Sequence, residues 1–106
     1  MAELLGPDEV RSALAARPGW AGDPEAIRRT VELPSFRAAI AVVDQVAEVA
    51  EEMDHHPDID IRWRTLTFHC ATHSAGGVTR RDLDLAARID EIVAAVGGDG
   101  EGGAAA

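Results

Sequence analysis

The chain has 106 residues, of which 46% are hydrophobic and 27% charged, a composition that suits one folded domain with a single core. Its formal charge of −9, from 19 acidic and 10 basic residues, repels phosphate backbones and anionic lipid surfaces, so neither nucleic acid nor a membrane is expected as a direct partner. One cysteine, Cys70, excludes an internal disulfide and every Cys-based zinc motif; lysine and tyrosine are absent, so His, Asp, Glu and a few hydroxyls remain as candidate catalysts.

No stretch approaches the roughly 18 uninterrupted apolar residues of a membrane span. The opening "MAELLGPDEV" lacks a basic n-region, so no export signal is expected and the expected location is cytoplasmic. Gly6-Pro7-Asp8-Glu9 predicts a helix start, because proline is tolerated in the first turn and acidic side chains favour the positive end of the dipole. Val10, Ala13 and Leu14 share its buried face, and "RPGW" ends it. A hairpin follows, with its turn expected near Gly22 to Pro24 and β-branched residues in "AIRRTVEL".

Pro34-Ser35 opens the longest element. Phe36, Ala39, Ile40, Val43, Val46, Ala47, Ala50 and Met53 recur at three- and four-residue spacing, which predicts a helix of about five turns. Pro57 disfavours α geometry before it, so the helix is expected to stop at His55 or His56, with the histidine pair at its C-terminus. Beyond it, Ile59, Ile61 and Trp63 are apolar at odd positions, whereas Leu66, Phe68 and Cys70 are apolar at even ones. A strand cannot change face without an extra residue or a break, so a bulge, kink or change of strand is expected between Arg62 and Thr65. Thr79 and Asp82 fit a capping box for a last helix, whose stripe is Leu85, Ala86, Ile89, Ile92, Val93 and Val96 and whose end is Gly97-Gly98. "DGEGGAAA" has nothing to bury and is expected to be disordered. The pattern therefore reads as an α+β domain over residues 1–97, with helices on an antiparallel sheet, followed by a Gly/Ala-rich tail over 98–106.

The stretch "EEMDHHPDIDIRW" concentrates the chemistry. Histidine is the side chain whose ordinary titration lies nearest neutrality, so a pair among carboxylates suggests proton transfer, a metal site or a solvated helix end. Adjacent positions on a regular helix point about 100° apart, which places His55 and His56 poorly for one ion, and neither a helical i,i+4 His pair nor a Cys pair is present; no metal is expected. Singly, Asp82 reads as a cap and Trp20 and Trp63 as core.

Jointly, the spacing Glu51, His55-His56-Pro57, Trp63, His73, Asp82 resembles the signature of the pterin-4a-carbinolamine dehydratase family. The resembling segments are "EEMDHHPDIDIRW", "RTLTFHCATHSAGGVT" and "RRDLDLAARID", with "RPGW" before the first strand. They span nearly the whole chain apart from its first few residues and the Gly/Ala tail. The resemblance implies an αββαββα fold, a four-stranded antiparallel sheet with three helices on one face. It implies dehydration of a 4a-hydroxytetrahydropterin to quinonoid dihydropterin, in recycling of the tetrahydropterin used in aromatic amino-acid hydroxylation, with no metal or organic cofactor. It also implies His55 and His73 as the acid/base pair with His56 beside them, and a substrate pocket drawn from Trp20, Glu51, Asp54, Arg81 and Asp82. A homo-dimer or homo-tetramer and an aromatic amino-acid hydroxylase as pathway partner complete the expectation. The alternative is a non-enzymatic dimerisation or binding module, or a pterin-binding accessory protein, of the same fold. One departure is Ile59, which stands where many relatives carry an aromatic residue.

Overall fold

The computed structural model describes residues 3–97; the tail expected over 98–106 lies outside the described residues. The elements follow in the order α1 (Pro7–Ala15), β1 (Trp20–Asp23), β2 (Ala26–Glu32), α2 (Phe36–Met53), β3 (Asp58–Arg62), β4 (Thr65–Cys70) and α3 (Arg80–Val96). The strands form one antiparallel sheet in the order β1-β2-β4-β3. This is the expected αββαββα arrangement.

One face of the sheet is apolar because alternate side chains of a strand share a side. Ile27 and Val31 of β2 lie in register with Cys70 and Leu66 of β4, and all four are buried. Phe68 joins them between Arg29 and Ile59. Val10 of α1, Ala39, Val42, Val46 and Val49 of α2, and Leu85, Ala86, Ile89 and Val93 of α3 complete a single core with that face. Burying each large apolar side chain contributes roughly 1.5–3 kcal/mol. The opposite face is polar, with Thr30 and Thr67 hydroxyls 2.9 Å apart and Arg28, Asp58, Asp60 and His69 exposed.

Three local details differ from the sequence expectation or sharpen it. The β1–β2 turn is Pro24-Glu25, slightly later than the expected Gly22 to Pro24. The Asp23 carboxylate closes it by accepting from the Glu25 amide at 2.8 Å, while Gly22, at φ 145°, packs so closely on β2 that a Cβ would lie 2.2 Å from the Ala26 carbonyl oxygen. The phase change at residues 62–65 is a tight hairpin in which Arg62 pairs with Thr65 across Trp63-Arg64. Trp63 takes φ 54°, is 70% exposed, and has the Arg64 guanidinium 4.8 Å from its ring centroid, so the core placement considered for it fails.

Helix α2 stops at Met53, earlier than expected. Ser35 caps its start by accepting from the Ala38 amide at 3.0 Å, and Asp54 ends it in the left-handed conformation, φ 50°. The His55 amide then reaches back to the Ala50 carbonyl at 3.0 Å. The histidine pair therefore leaves the helix axis on an extended segment instead of sitting in its last turn. No helix among the described residues is long and apolar enough to cross a membrane.

Candidate active site

The change of direction at Asp54 sends the two histidines to different surroundings. His55 is buried, and its Nε2 lies 2.6 Å from Asp82 Oδ1. His56 is exposed, and its Nε2 lies 2.5 Å from Glu51 Oε2, one turn back on α2. The first pair joins the end of one helix to the start of another; the second is a surface contact that water screens.

Asp82 is fully buried and serves two purposes at once. Its Oδ2 accepts from the Thr79 amide at 2.9 Å, which is the expected cap of α3, and from the Thr72 hydroxyl at 2.7 Å. Its Oδ1 faces His55. An ionised carboxylate only accepts, so His55 Nε2 must carry a proton to satisfy it, and Nδ1 is left as the ring nitrogen free for other chemistry. Thr72 also lies 2.7 Å from the Thr79 hydroxyl, which completes a buried polar network.

His73 stands on the loop between β4 and α3. Bonds from the Thr72 amide to the Gly77 carbonyl at 2.8 Å, and from the Gly76 amide to the Thr72 carbonyl at 2.9 Å, cinch this loop. The exposed His73 ring borders a depression of about 340 Å³ together with Asp54, His55, His56, Thr72 and Arg81. All three expected histidines thus border one open site.

The remaining predicted residues divide. Asp54 borders the depression, and Glu51 reaches it only through His56. Arg81 also borders it, but its Nη2 donates to the Met53 carbonyl at 2.5 Å and the Asp54 carbonyl at 2.9 Å, so it caps the C-terminus of α2 and braces the Asp54 turn. Trp20 does not come to the site. Its ring is buried on the core face, and its Nε1 donates to Asp90 of α3 at 2.8 Å, beside Arg29 and Arg17 on the same carboxylate. The substrate-pocket place that the resemblance implies for Trp20 is corrected on that ground, and the core reading of the residue taken singly stands: its strand parity points it away from the histidines and its polar edge is already satisfied.

Thr72 borders the same depression and was passed over by the spacing argument, as were His69, Asp58 and Glu25, which line a neighbouring depression that shares His56, Ala71 and His73 with it. His69 shares the outward parity of Thr67 on β4, which is the one signal in the sequence that marks it. Cys70 lies beneath; burial pushes its thiol from 9.0 up to about 12, with the carboxylates of Asp82, Asp58 and Asp90 adding to the effect, so it is no nucleophile. Among the described residues, no three His, Cys, Asp or Glu side chains are grouped to hold a metal ion.

Residues 3–92 match the family described as pterin 4 alpha carbinolamine dehydratase. A protein of Nocardia farcinica, named by inference as a pterin-4-alpha-carbinolamine dehydratase, is 58% identical over 90 residues, covering 85% of this chain and 95% of its own. One of Roseiflexus castenholzii with the same inferred name is 53% identical over 93 residues, 88% of this chain and 100% of its own. Among solved structures, the transcriptional coactivator/pterin dehydratase of Brucella melitensis superposes with a TM-score of 0.80 at 34% identity, over 83% of this chain and 96% of that one. A pterin dehydratase-like RuBisCO assembly factor of the alpha-carboxysome matches at TM-score 0.57 and 22% identity, over 69% of this chain and 84% of that one, which shows a shared fold alone. The match over nearly all of the described residues, together with these identities, establishes that the chain belongs to the pterin 4 alpha carbinolamine dehydratase family.

Proposed function

We propose that this protein removes water from a 4a-hydroxytetrahydropterin to give the quinonoid dihydropterin, by general acid/base catalysis from His55 and His73 with His56 beside them. The observation that carries the reading is the convergence of these three imidazoles on one open depression, with His55 held by the buried Asp82. The hydroxyl leaves a carbon that also bears a nitrogen. One group must protonate the departing oxygen while another accepts the N–H proton as the carbon–nitrogen double bond forms, and a positioned imidazole contributes about 100- to 10,000-fold in each such task. The chemistry balances with proton transfers alone and calls on no metal or organic cofactor. Asp54, an exposed acid that borders the depression, suits the donor-rich edge of the pyrimidine ring.

Within this reading the protein acts in the cytoplasm, in recycling of the pterin used by an aromatic amino-acid hydroxylase, as a homo-dimer or homo-tetramer. Apolar side chains left partly or fully open on α2, Phe36, Ile40 and Val43, support self-association along that helix. A binding role without catalysis is the competing reading, favoured by the name coactivator carried by the Brucella protein.

The test is the rate of dehydration of 4a-hydroxytetrahydropterin, followed by ultraviolet absorbance, with His55→Ala and His73→Ala variants of verified fold. Acceleration by the wild type that falls about 100-fold or more in either variant supports the assignment. A folded wild-type protein that leaves the spontaneous rate unchanged defeats it and favours the binding role.

A further inference from the structure

His55 and His73 border one depression but stand on different segments, the turn that leaves α2 and the loop that follows β4. Thr72 is bonded to both. Its backbone is the foot of the His73 loop: the Thr72 amide donates to the Gly77 carbonyl at 2.8 Å, and its carbonyl accepts from the Ala75 amide at 3.0 Å and the Gly76 amide at 2.9 Å. Its side chain is buried, and the hydroxyl meets Asp82, the carboxylate that holds His55.

The protons of this cluster have one consistent arrangement. An ionised carboxylate only accepts, so the Thr72 hydroxyl donates to Asp82 Oδ2 at 2.7 Å. That uses the single hydroxyl proton of Thr72, and the 2.7 Å contact between the two threonine hydroxyls is therefore donated by Thr79. The Thr79 oxygen in turn accepts from the Arg81 amide, in the first turn of α3, at 3.2 Å. The chain runs in one direction, from the positive end of α3 through two hydroxyls to Oδ2, and leaves Oδ1 to face His55 Nε2. The Thr79 amide alone on Oδ2 lets the carboxylate turn about that contact, whereas a second donor on the same oxygen fixes its plane.

We propose that Thr72 is a positioning residue for the acid/base pair: its hydroxyl fixes the Asp82 carboxylate that orients His55, while its backbone anchors the loop that presents His73. The inference rests on the dehydratase reading. Serine supplies the same hydroxyl and keeps the role. Valine has the same branched shape and the same backbone bonds but no side-chain donor, and loses it.

The experiment measures kcat and KM for dehydration of a 4a-hydroxytetrahydropterin by wild type, Thr72→Val and Thr72→Ser, and repeats Thr72→Val in the His55→Ala background. Thr72→Val is expected to lower kcat about 10- to 100-fold with KM nearly unchanged, the size of a small misplacement of a catalytic group, and Thr72→Ser to restore most of the loss. In the His55→Ala background Thr72→Val is expected to cost little more, because the hydroxyl acts through that ring. A residue that only supports the fold or the His73 loop gives the same fold-loss in both backgrounds. That result, or a Thr72→Val protein with wild-type kcat, overturns the proposal and leaves the dehydratase reading standing. Where Thr72→Val does not fold, the wild-type protein decides: its Thr72 hydroxyl proton is expected as a resolved magnetic resonance in slow exchange with water, and exchange at the rate of an exposed threonine overturns the arrangement. A wild-type protein that leaves the spontaneous rate unchanged overturns both readings.

Discussion

Asp82→Asn isolates the one carboxylate that links fold to chemistry. Asp82 is wholly buried and accepts three bonds, from His55 Nε2, the Thr72 hydroxyl and the Thr79 amide. The amide keeps the volume and one acceptor oxygen, which remains with Thr79 and Thr72 because both donate to the same oxygen today. Its NH₂ then meets His55, and a donor facing Nε2 forces the imidazole proton onto Nδ1. Stability is expected to fall by about 1–3 kcal/mol, because three charge-assisted bonds become neutral ones while the cost of burying a full charge is removed. Activity is expected to fall about 100-fold or more, because the ring nitrogen left for the substrate is now in the wrong protonation state. Asp82→Ala, by contrast, orphans His55 and the Thr79 amide and is expected to cost about 3–5 kcal/mol. The checks are thermal denaturation, the dehydration rate, and ¹⁵N chemical shifts of the His55 ring, which report the tautomer directly. An Asp82→Asn protein with wild-type activity and an unchanged His55 tautomer refutes the claim that this bond orients the ring.

Other consequences follow from particular contacts. Asp90→Ala leaves the buried Arg29 guanidinium and the Trp20 indole N–H without their shared acceptor, and is expected to destabilise the fold by about 3–5 kcal/mol; in a Trp63→Phe background, a Trp20 emission spectrum identical to that of the parent argues against it. Gly77→Ala drives a Cβ into the Pro24 carbonyl, so Tm is expected to drop and the β1–β2 turn to separate from the His73 loop, seen as faster exchange of the Val78 amide. The Cys70 thiol is held at about 12 in the folded state against 9.0 otherwise, so between those values the unfolded chain has lost a proton that the folded chain keeps. Stability is therefore full below about pH 9 and declines towards about pH 12, by at most about 1.4 kcal/mol per unit. With neither lysine nor tyrosine in the chain, little else titrates in that window, and Cys70→Ala is expected to flatten the decline; parallel curves for the two proteins remove Cys70 from the account.

The sequence by itself determined the elements and most of their ends. Three- and four-residue spacing of apolar side chains marks α2 and α3, the Thr79 and Asp82 box marks where α3 begins, and the parity switch between Ile61 and Leu66 marks the hairpin, because each signal is local and set by backbone geometry. The spacing of Glu51, His55, His56 and His73 was also legible, and the structure brings the three histidines to one depression. Tertiary structure decided the partners. Asp82 reads as a cap until packing of α3 against the end of α2 carries it to His55, 27 residues away in sequence. Trp20 reads as core by itself and as a pocket residue by resemblance, and only the pairing of β1 with Arg29 of β2 turns its indole towards Asp90, 70 residues on. Glu25, Asp58 and His69 carry no joint pattern along the chain, since a turn, a strand start and a mid-strand residue become neighbours only through sheet register and the bond from Val78 to Pro24. Periodicity constrains which way a side chain faces relative to its own element, whereas its contacts across elements depend on register and loop closure, which no short window of sequence encodes.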